Sequence, residues 1–132
     1  MKFTHSIPNR KDMSKKNYIL VALFLITASV FAQAPEKMSY QAVIRNADNA
    51  LVTEQDVGMQ ISILQGATAV YVETHTPTSN TNGLVSLEIG LGTVVSGSFT
   101  EIDWTSGAYF IKTETDPIGG TNYTITGTSQ LL

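Results

Sequence analysis

The sequence predicts an all-β protein, an antiparallel β-sandwich that follows a helical signal peptide. Apolar and polar residues alternate with a period of two along most of residues 38–128, and helical spacing of apolar residues is nearly absent. Turn-forming Gly, Asn and Pro residues divide this stretch into short runs, as in sandwiches and barrels. We expect a signal peptide at 1–32, a short linker at 33–37 and one sandwich domain at 38–132.

Three strands are predicted in the first half of the domain. Two of them have alternating apolar faces, and the third, residues 70–76, is rich in β-branched and aromatic residues. Turns at 46–49 and 66–68 separate the three runs. The residues expected to point inward from the first two strands are Tyr40, Ala42, Ile44, Val57, Met59, Ile61 and Ile63.

Three more strands are predicted in the second half. The fourth carries Leu87 and Ile89 inward, the fifth carries Ile111, and the sixth spans residues 123–128. Residues 77–82 and the Gly-rich residues 91–98 are predicted to be loops, and 117–120 a turn. No closing turn follows the sixth run, so we expect the domain to continue into a longer chain.

The N-terminal residues predict export from the cell. The uncharged apolar run at 18–30 follows Lys15 and Lys16 and precedes Ala32, which is the pattern of a signal peptide with its cleavage site. The run is shorter than the about 20 residues that a membrane-spanning helix needs. Met13 is an alternative start, and cleavage after Ala34 is an alternative to cleavage after Ala32.

Charge and composition limit the function after cleavage. Residues 33–132 hold three basic residues, Lys37, Arg45 and Lys112, against ten acidic ones, a formal charge of −7. Such a surface does not bind nucleic acid or anionic membranes, and its self-repulsion predicts a monomer at neutral pH. The sequence contains no cysteine, which excludes thiol catalysis, thiolate metal sites and lipid acylation at cysteine.

Catalytic and metal-binding interpretations lack the motifs they need. His75 has no nucleophile motif near it, so a partly exposed strand histidine is favoured over a hydrolase. Asn46, Asp48 and Asn49 lack the spacing of a calcium loop and are interpreted as turn formers. We therefore predict no catalytic residue, no metal and no cofactor.

An aromatic residue supplies the candidate binding site. Trp104 lies just before the fifth strand, near Tyr109, Glu101 and Asp103, and could stack on a sugar ring bordered by the two carboxylates. The alternative, which we favour, is that Phe99, Ile102 and Trp104 fold back as a lid over one open end of the sandwich.

Two resemblances add to this interpretation. Residues 81–90 and 107–112 resemble a hairpin and strand of transthyretin-like and carboxypeptidase-regulatory-like sandwiches. A longer stretch of the chain resembles an N-terminal module of secreted Gram-negative surface proteins. This resemblance is carried by residues 38–46, 73–76, 82–85, 102–104, 109–112 and 121–125. The module has no established catalytic residue. That resemblance implies a location at the bacterial surface and downstream collagen-like or tail-fibre-like domains.

Two functions follow as expectations. The first is a non-catalytic structural or adhesive head module of a larger surface protein, whose partners are its downstream domains or a surface glycan or protein. The second is a carbohydrate-binding module that uses Trp104. A hydrolase is the least favoured.

Overall fold

A computed structural model describes residues 36–131 of the chain. The expected signal peptide, the first linker residues and Leu132 lie outside this range. The described part holds seven strands and one 3₁₀ turn, Phe99–Glu101. The strands are β1 Met38–Val43, β2 Gly58–Gln65, β3 Thr68–His75, β4 Leu84–Ile89, β5 Thr93–Ser96, β6 Tyr109–Asp116 and β7 Ile125–Gln130.

The strands form two antiparallel sheets, which confirms the predicted all-β sandwich. One sheet pairs β1 with β4, and the other has the order β5-β3-β2-β6-β7. The apolar residues of both sheets join in one core, because Val85, Leu87 and Ile89 of β4 belong to the same buried cluster as the inward residues of β2 and β6. The described residues include no helix long and apolar enough to cross a membrane.

Strand β2 is the centre of the larger sheet and of the core. It pairs with β3 on one side and β6 on the other, so neither edge of its backbone is open. Its inward residues Met59, Ile61 and Ile63 are at most 1% exposed. Ser62 on the opposite face is also buried, and it lies between Val72 and Lys112 in the register of the neighbouring strands.

The predicted inward residues agree with the observed burial. Ile44, Val57, Leu87, Ile89 and Ile111 are buried like the three residues of β2. Tyr40 and Ala42 are half-buried, because β1 belongs to a sheet of only two strands and packs at the margin of the core. A register slip of one residue would exchange these faces, so the burial fixes the register.

Several elements differ from the sequence prediction. Ile44 and Val57, predicted in the first two strands, lie one residue outside β1 and β2. Residues 91–98 were expected to be a loop, but they contain β5, whose four residues are all exposed and therefore show no alternation. The sixth predicted strand begins at Ile125 rather than at residue 123.

The turn after β1 is built by asparagine, as the sequence predicted. The Asn46 side-chain oxygen accepts hydrogen bonds from the backbone N–H groups of Asp48 and Ala50, both at 3.0 Å. Asn49 has a φ of 63°, in the left-handed region that asparagine tolerates. The Asn46 oxygen thus completes a turn.

Candidate functional site

The alternation of β3 places three polar side chains on its inner face. Tyr71, Glu73 and His75 are two residues apart, so they point to the same side of the strand. Tyr71 is 1% exposed, Glu73 is fully buried, and the His75 side chain is 13% exposed. A carboxylate this deep in a core needs compensating hydrogen bonds.

Four groups donate hydrogen bonds to the Glu73 carboxylate. The Tyr71 hydroxyl donates to Oε2 at 2.6 Å, and the His75 Nε2 lies 2.8 Å from Oε1. The backbone N–H of Gly90 reaches both oxygens, at 2.9 and 3.1 Å, and that of Gly92 reaches Oε2 at 3.0 Å. We call Tyr71, Glu73, His75, Gly90 and Gly92 the Glu73 cluster.

The electrostatics of the cluster favour an ionised carboxylate. Burial alone raises the pKa of Glu73, but the hydrogen bonds from Tyr71, His75, Gly90 and Gly92 together hold that pKa below its ordinary value of 4.5. Burial, and then the adjacent carboxylate, raises the pKa of the Tyr71 phenol well above 10. Tyr71 therefore remains a hydrogen-bond donor at physiological pH.

The Glu73 cluster joins the two sheets. Glu73 lies on β3 of the larger sheet, and Gly90 directly follows β4 of the smaller one. Gly92 approaches β3 closely, since a Cβ atom at this position would lie 2.5 Å from the His75 Nε2 and 2.8 Å from the Thr74 carbonyl oxygen. The carboxylate thus holds the β4–β5 connection against β3.

The hydrolase interpretation depends on which groups the His75 ring contacts. Its Nε2 is engaged by Glu73, and its ring lies at the edge of a shallow pocket of about 310 Å³ that Ser86 and Leu91 also line. The Ser86 hydroxyl accepts a hydrogen bond from the Gln41 side chain at 3.3 Å. Among residues 36–131, no group of three or more His, Cys, Asp or Glu side chains is arranged to hold a metal ion.

Four aromatic rings pack in a row, three of them in the core and one, Trp104, packed against it. Tyr71 packs edge-on against Phe99 at 5.4 Å between centroids, Phe99 against Trp104 at 5.9 Å, and Trp104 against Tyr109 at 5.0 Å. These spacings are those of favourable aromatic pairs. The half-buried Trp104 ring therefore packs on both Phe99 and Tyr109.

The four candidate sugar-binding residues face different cavities. Trp104 lines one of about 500 Å³ together with Lys37, Met38 and Leu131. Glu101, Asp103 and Tyr109 line a second, of about 320 Å³. Tyr109 is 2% exposed and so presents no free ring face.

The Asp103 carboxylate is hydrogen-bonded by residues of its own loop. Its carboxylate accepts hydrogen bonds from the Thr105 hydroxyl at 2.6 Å, the Thr105 backbone N–H at 3.1 Å and the Ser106 hydroxyl at 2.5 Å. The Ser106 bond, followed by those from Thr105, lowers the pKa of Asp103. The Tyr109 hydroxyl donates to the Asp103 carbonyl oxygen, which fixes this loop to the start of β6.

Comparison with known proteins identifies a family without a known activity. The sequence model described as "Domain of unknown function (DUF8740)" matches residues 39–128. The chain belongs to this family. No curated protein and no solved structure matches the chain.

The family match covers both candidate sites of this DUF8740 domain. The Glu73 cluster and Trp104 lie within residues 39–128. The sequence pattern alone does not identify Glu73 as the buried partner of His75. The signal was present in the order Tyr-Val-Glu-Thr-His at 71–75, where an inward Tyr71 requires Glu73 and His75 to point inward as well.

Proposed function

We propose that this DUF8740 domain is a non-catalytic structural module, exported to the surface of a Gram-negative bacterium as the head of a longer protein. The observation that carries the proposal is the Glu73 cluster. The hydrogen bonds of the Glu73 carboxylate hold the β4–β5 connection against β3, which is a structural role. A buried, fully bonded carboxylate rigidifies a small domain that has no disulfide.

The predicted leader supports the exported location. The apolar run at 18–30 with its basic flank favours secretion. The resemblance to N-terminal modules of surface proteins supports a position ahead of further domains.

Export is tested by expressing the full chain in a Gram-negative host and fractionating the cells. We expect mature protein outside the cytoplasm, with Gln33 or Pro35 as its first residue by mass spectrometry. A Leu23→Arg variant, which interrupts the apolar run, should remain in the cytoplasm as a precursor. A wild-type chain that keeps residues 1–32 in the cytoplasm would contradict the proposal.

The head-module role is tested by thermal melting of this chain and of the chain extended by its native downstream sequence. The half-buried Leu131 packs against the core and lines the cavity of about 500 Å³ next to Trp104, so following sequence has an apolar surface to cover. We expect the extended chain to melt at a higher temperature. Equal melting temperatures would count against a head module.

A carbohydrate-binding module is the second candidate. It is favoured by the Trp104 ring on the wall of that cavity, beside the polar side chains of Glu36, Lys37 and Thr100. A glycan array distinguishes it from the first candidate, because only this function requires a ligand.

A further inference from the structure

Strand β5 and the connection that leads into it have few contacts with the core. We call residues 90–97 the β5 strap; among the described strands, its strand β5 pairs only with β3. All four residues of β5 are exposed, and Leu91 before it is 62% exposed. Detaching the strap would therefore expose little additional apolar area, which is typical of segments that open locally at a low free-energy cost.

The backbone at both ends of the strap is suited to a hinge. Gly90 has a φ of 105° and Gly97 a φ of 79°. Glycine changes these dihedral angles without a Cβ clash, and hinge motions are absorbed at a few positions of this kind. The ladder between the two ends is short, and its register shifts between Val72 and Glu73 of β3.

The Glu73 carboxylate holds the first half of the strap. It accepts the Gly90 N–H at 2.9 and 3.1 Å and the Gly92 N–H at 3.0 Å. Hydrogen bonds to a charged acceptor are about twice as strong as those between neutral groups. The strap itself contains no charged side chain. The attachment of its first half therefore depends on the charge of Glu73.

The titratable groups around Glu73 come from two strands. Tyr71 and His75 of β3 hydrogen-bond to it, whereas its partners in the registers of β2 and β5 are aliphatic. On β4, Glu88 lines the same shallow pocket as His75 and forms an ion pair with Lys37 at 3.0 Å. Glu73 is thus the titratable group that contacts the strap directly.

Protonation of Glu73 would weaken its bonds to the strap. In the closed cluster every neighbour of the carboxylate acts as a donor, so an added proton places a donor among donors and one bond must break or reverse. The Tyr71 hydroxyl can reverse its bond, but the backbone N–H groups of Gly90 and Gly92 cannot accept. Their bonds to the neutral acid lose the contribution of the charge.

We propose that the β5 strap is released by acid: protonation of Glu73 opens residues 90–97 while the other strands stay folded. Opening exposes the outer edge of β3, which the strap covers in the closed form. This inference concerns a local opening of the domain and does not depend on the proposed head-module role.

The pH range of the opening follows from linkage. Burial raises the pKa of Glu73, but the hydrogen bonds from Tyr71, His75, Gly90 and Gly92 outweigh it and hold the pKa below 4.5 in the closed form. Opening hydrates the carboxyl group and returns its pKa toward 4.5. The open population is therefore constant above pH 4.5 and rises by up to about tenfold per pH unit below it, until the pH passes the pKa of the closed form.

Amide hydrogen exchange, measured by NMR on residues 33–132, tests the opening, since residues 36–132 form a compact unit of their own. We expect the Gly90 and Gly92 amides to be less protected than those of the central strand β2 already at pH 5.5, because they exchange by local opening. Their protection factors, corrected for the intrinsic exchange rate, should fall about fivefold or more between pH 5.5 and 3.5.

The matched control within the same sample is β7. It is also an exposed edge strand, paired with β6 and remote from the strap in the strand order, so its amides should keep their protection over this pH range. Glu73→Gln should leave the Gly90 and Gly92 amides weakly protected and independent of pH. Asp103→Asn removes another carboxylate whose pKa is lowered and should leave the response of the strap intact.

Three results would each overturn the proposal. The first is equal protection of Gly90, Gly92 and β2 in the wild type, which would mean that the strap opens only on global unfolding. The second is an equal response to pH in β7, and the third is a response of the strap that persists in Glu73→Gln. If the glutamine variant does not fold, the two comparisons within the wild type still decide.

Discussion

The Tyr71 hydroxyl donates a 2.6 Å hydrogen bond to the Glu73 carboxylate, and both side chains are sealed within the core of the sandwich. A bond to a buried charged acceptor is stronger than one between neutral groups, because little water competes for it. The same carboxylate binds the backbone of the β4–β5 connection 17 and 19 residues away. The Glu73 side chain thus links the core to the β4–β5 connection, which joins the two sheets.

Replacing Glu73 by glutamine should destabilise the domain strongly. In either orientation the amide NH₂ group faces a backbone N–H or another donor, so at least one buried bond is lost. We expect a loss of about 3 kcal/mol in the free energy of unfolding, measured by urea denaturation. Glu101→Gln removes an exposed acid and should change stability by less than about 0.5 kcal/mol. Similar losses in the two variants would show that the Glu73 cluster contributes little.

The free energy of unfolding of the domain should fall in acid, because the Glu73 carboxylate becomes protonated. The hydrogen bonds lower the pKa of folded Glu73 below its ordinary value of 4.5, so its contribution is complete above pH 4.5 and is lost as the pH falls through the folded pKa. Urea midpoints measured below pH 4.5 should therefore decline steeply in the wild type and less steeply in Glu73→Gln. Asp103 has the same direction of pKa shift, and Asp103→Asn separates its contribution. Parallel pH profiles for wild type and Glu73→Gln would contradict this assignment.

The strands could be predicted from sequence wherever burial differs between the two faces. Burial alternates along the whole of β4 and along parts of β2 and β6, and the sequence predicts Met59, Leu87 and Ile111 to point inward, as they do. Strand β5 could not be found in this way, because Thr93–Ser96 is exposed on both faces and is a strand only through its pairing with β3.

The Glu73 cluster could be predicted only in part. Alternation from Tyr71 puts Glu73 on the inner face, but an acidic residue in a strand is normally assigned to the outside. Its compensation comes from the backbone N–H groups of Gly90 and Gly92, which carry no side-chain signal in the sequence. Only the folded topology brings these groups to the carboxylate.

Gly97 should tolerate alanine far less well than Gly66. Both have a positive φ, 79° and 63°, so alanine costs about 1 kcal/mol of backbone strain at either position. At Gly97 the new Cβ also meets the Val70 carbonyl oxygen and the Tyr71 Cα, whereas at Gly66 nothing lies within 4 Å. We expect Gly97→Ala to cost about 3 kcal/mol in urea unfolding, because backbone atoms cannot move aside as a side chain can. Equal losses at the two glycines would mean that β5 does not lie against β3 as described.

Truncating Trp104 should lower stability without removing a ligand-binding activity. Trp104→Ala deletes the ring that packs on Phe99 and Tyr109, and because the ring is half-buried we expect a loss of about 2 kcal/mol, less than for a fully buried tryptophan. Trp104→Phe keeps an aromatic face against both neighbours and should recover most of the lost stability, measured by the same thermal or urea unfolding. On a glycan array we expect no binding by the wild type, since the acids Glu101 and Asp103 line a different cavity from the tryptophan. Binding by the wild type that disappears in a folded Trp104→Ala protein would instead establish the carbohydrate-binding function and displace the structural one.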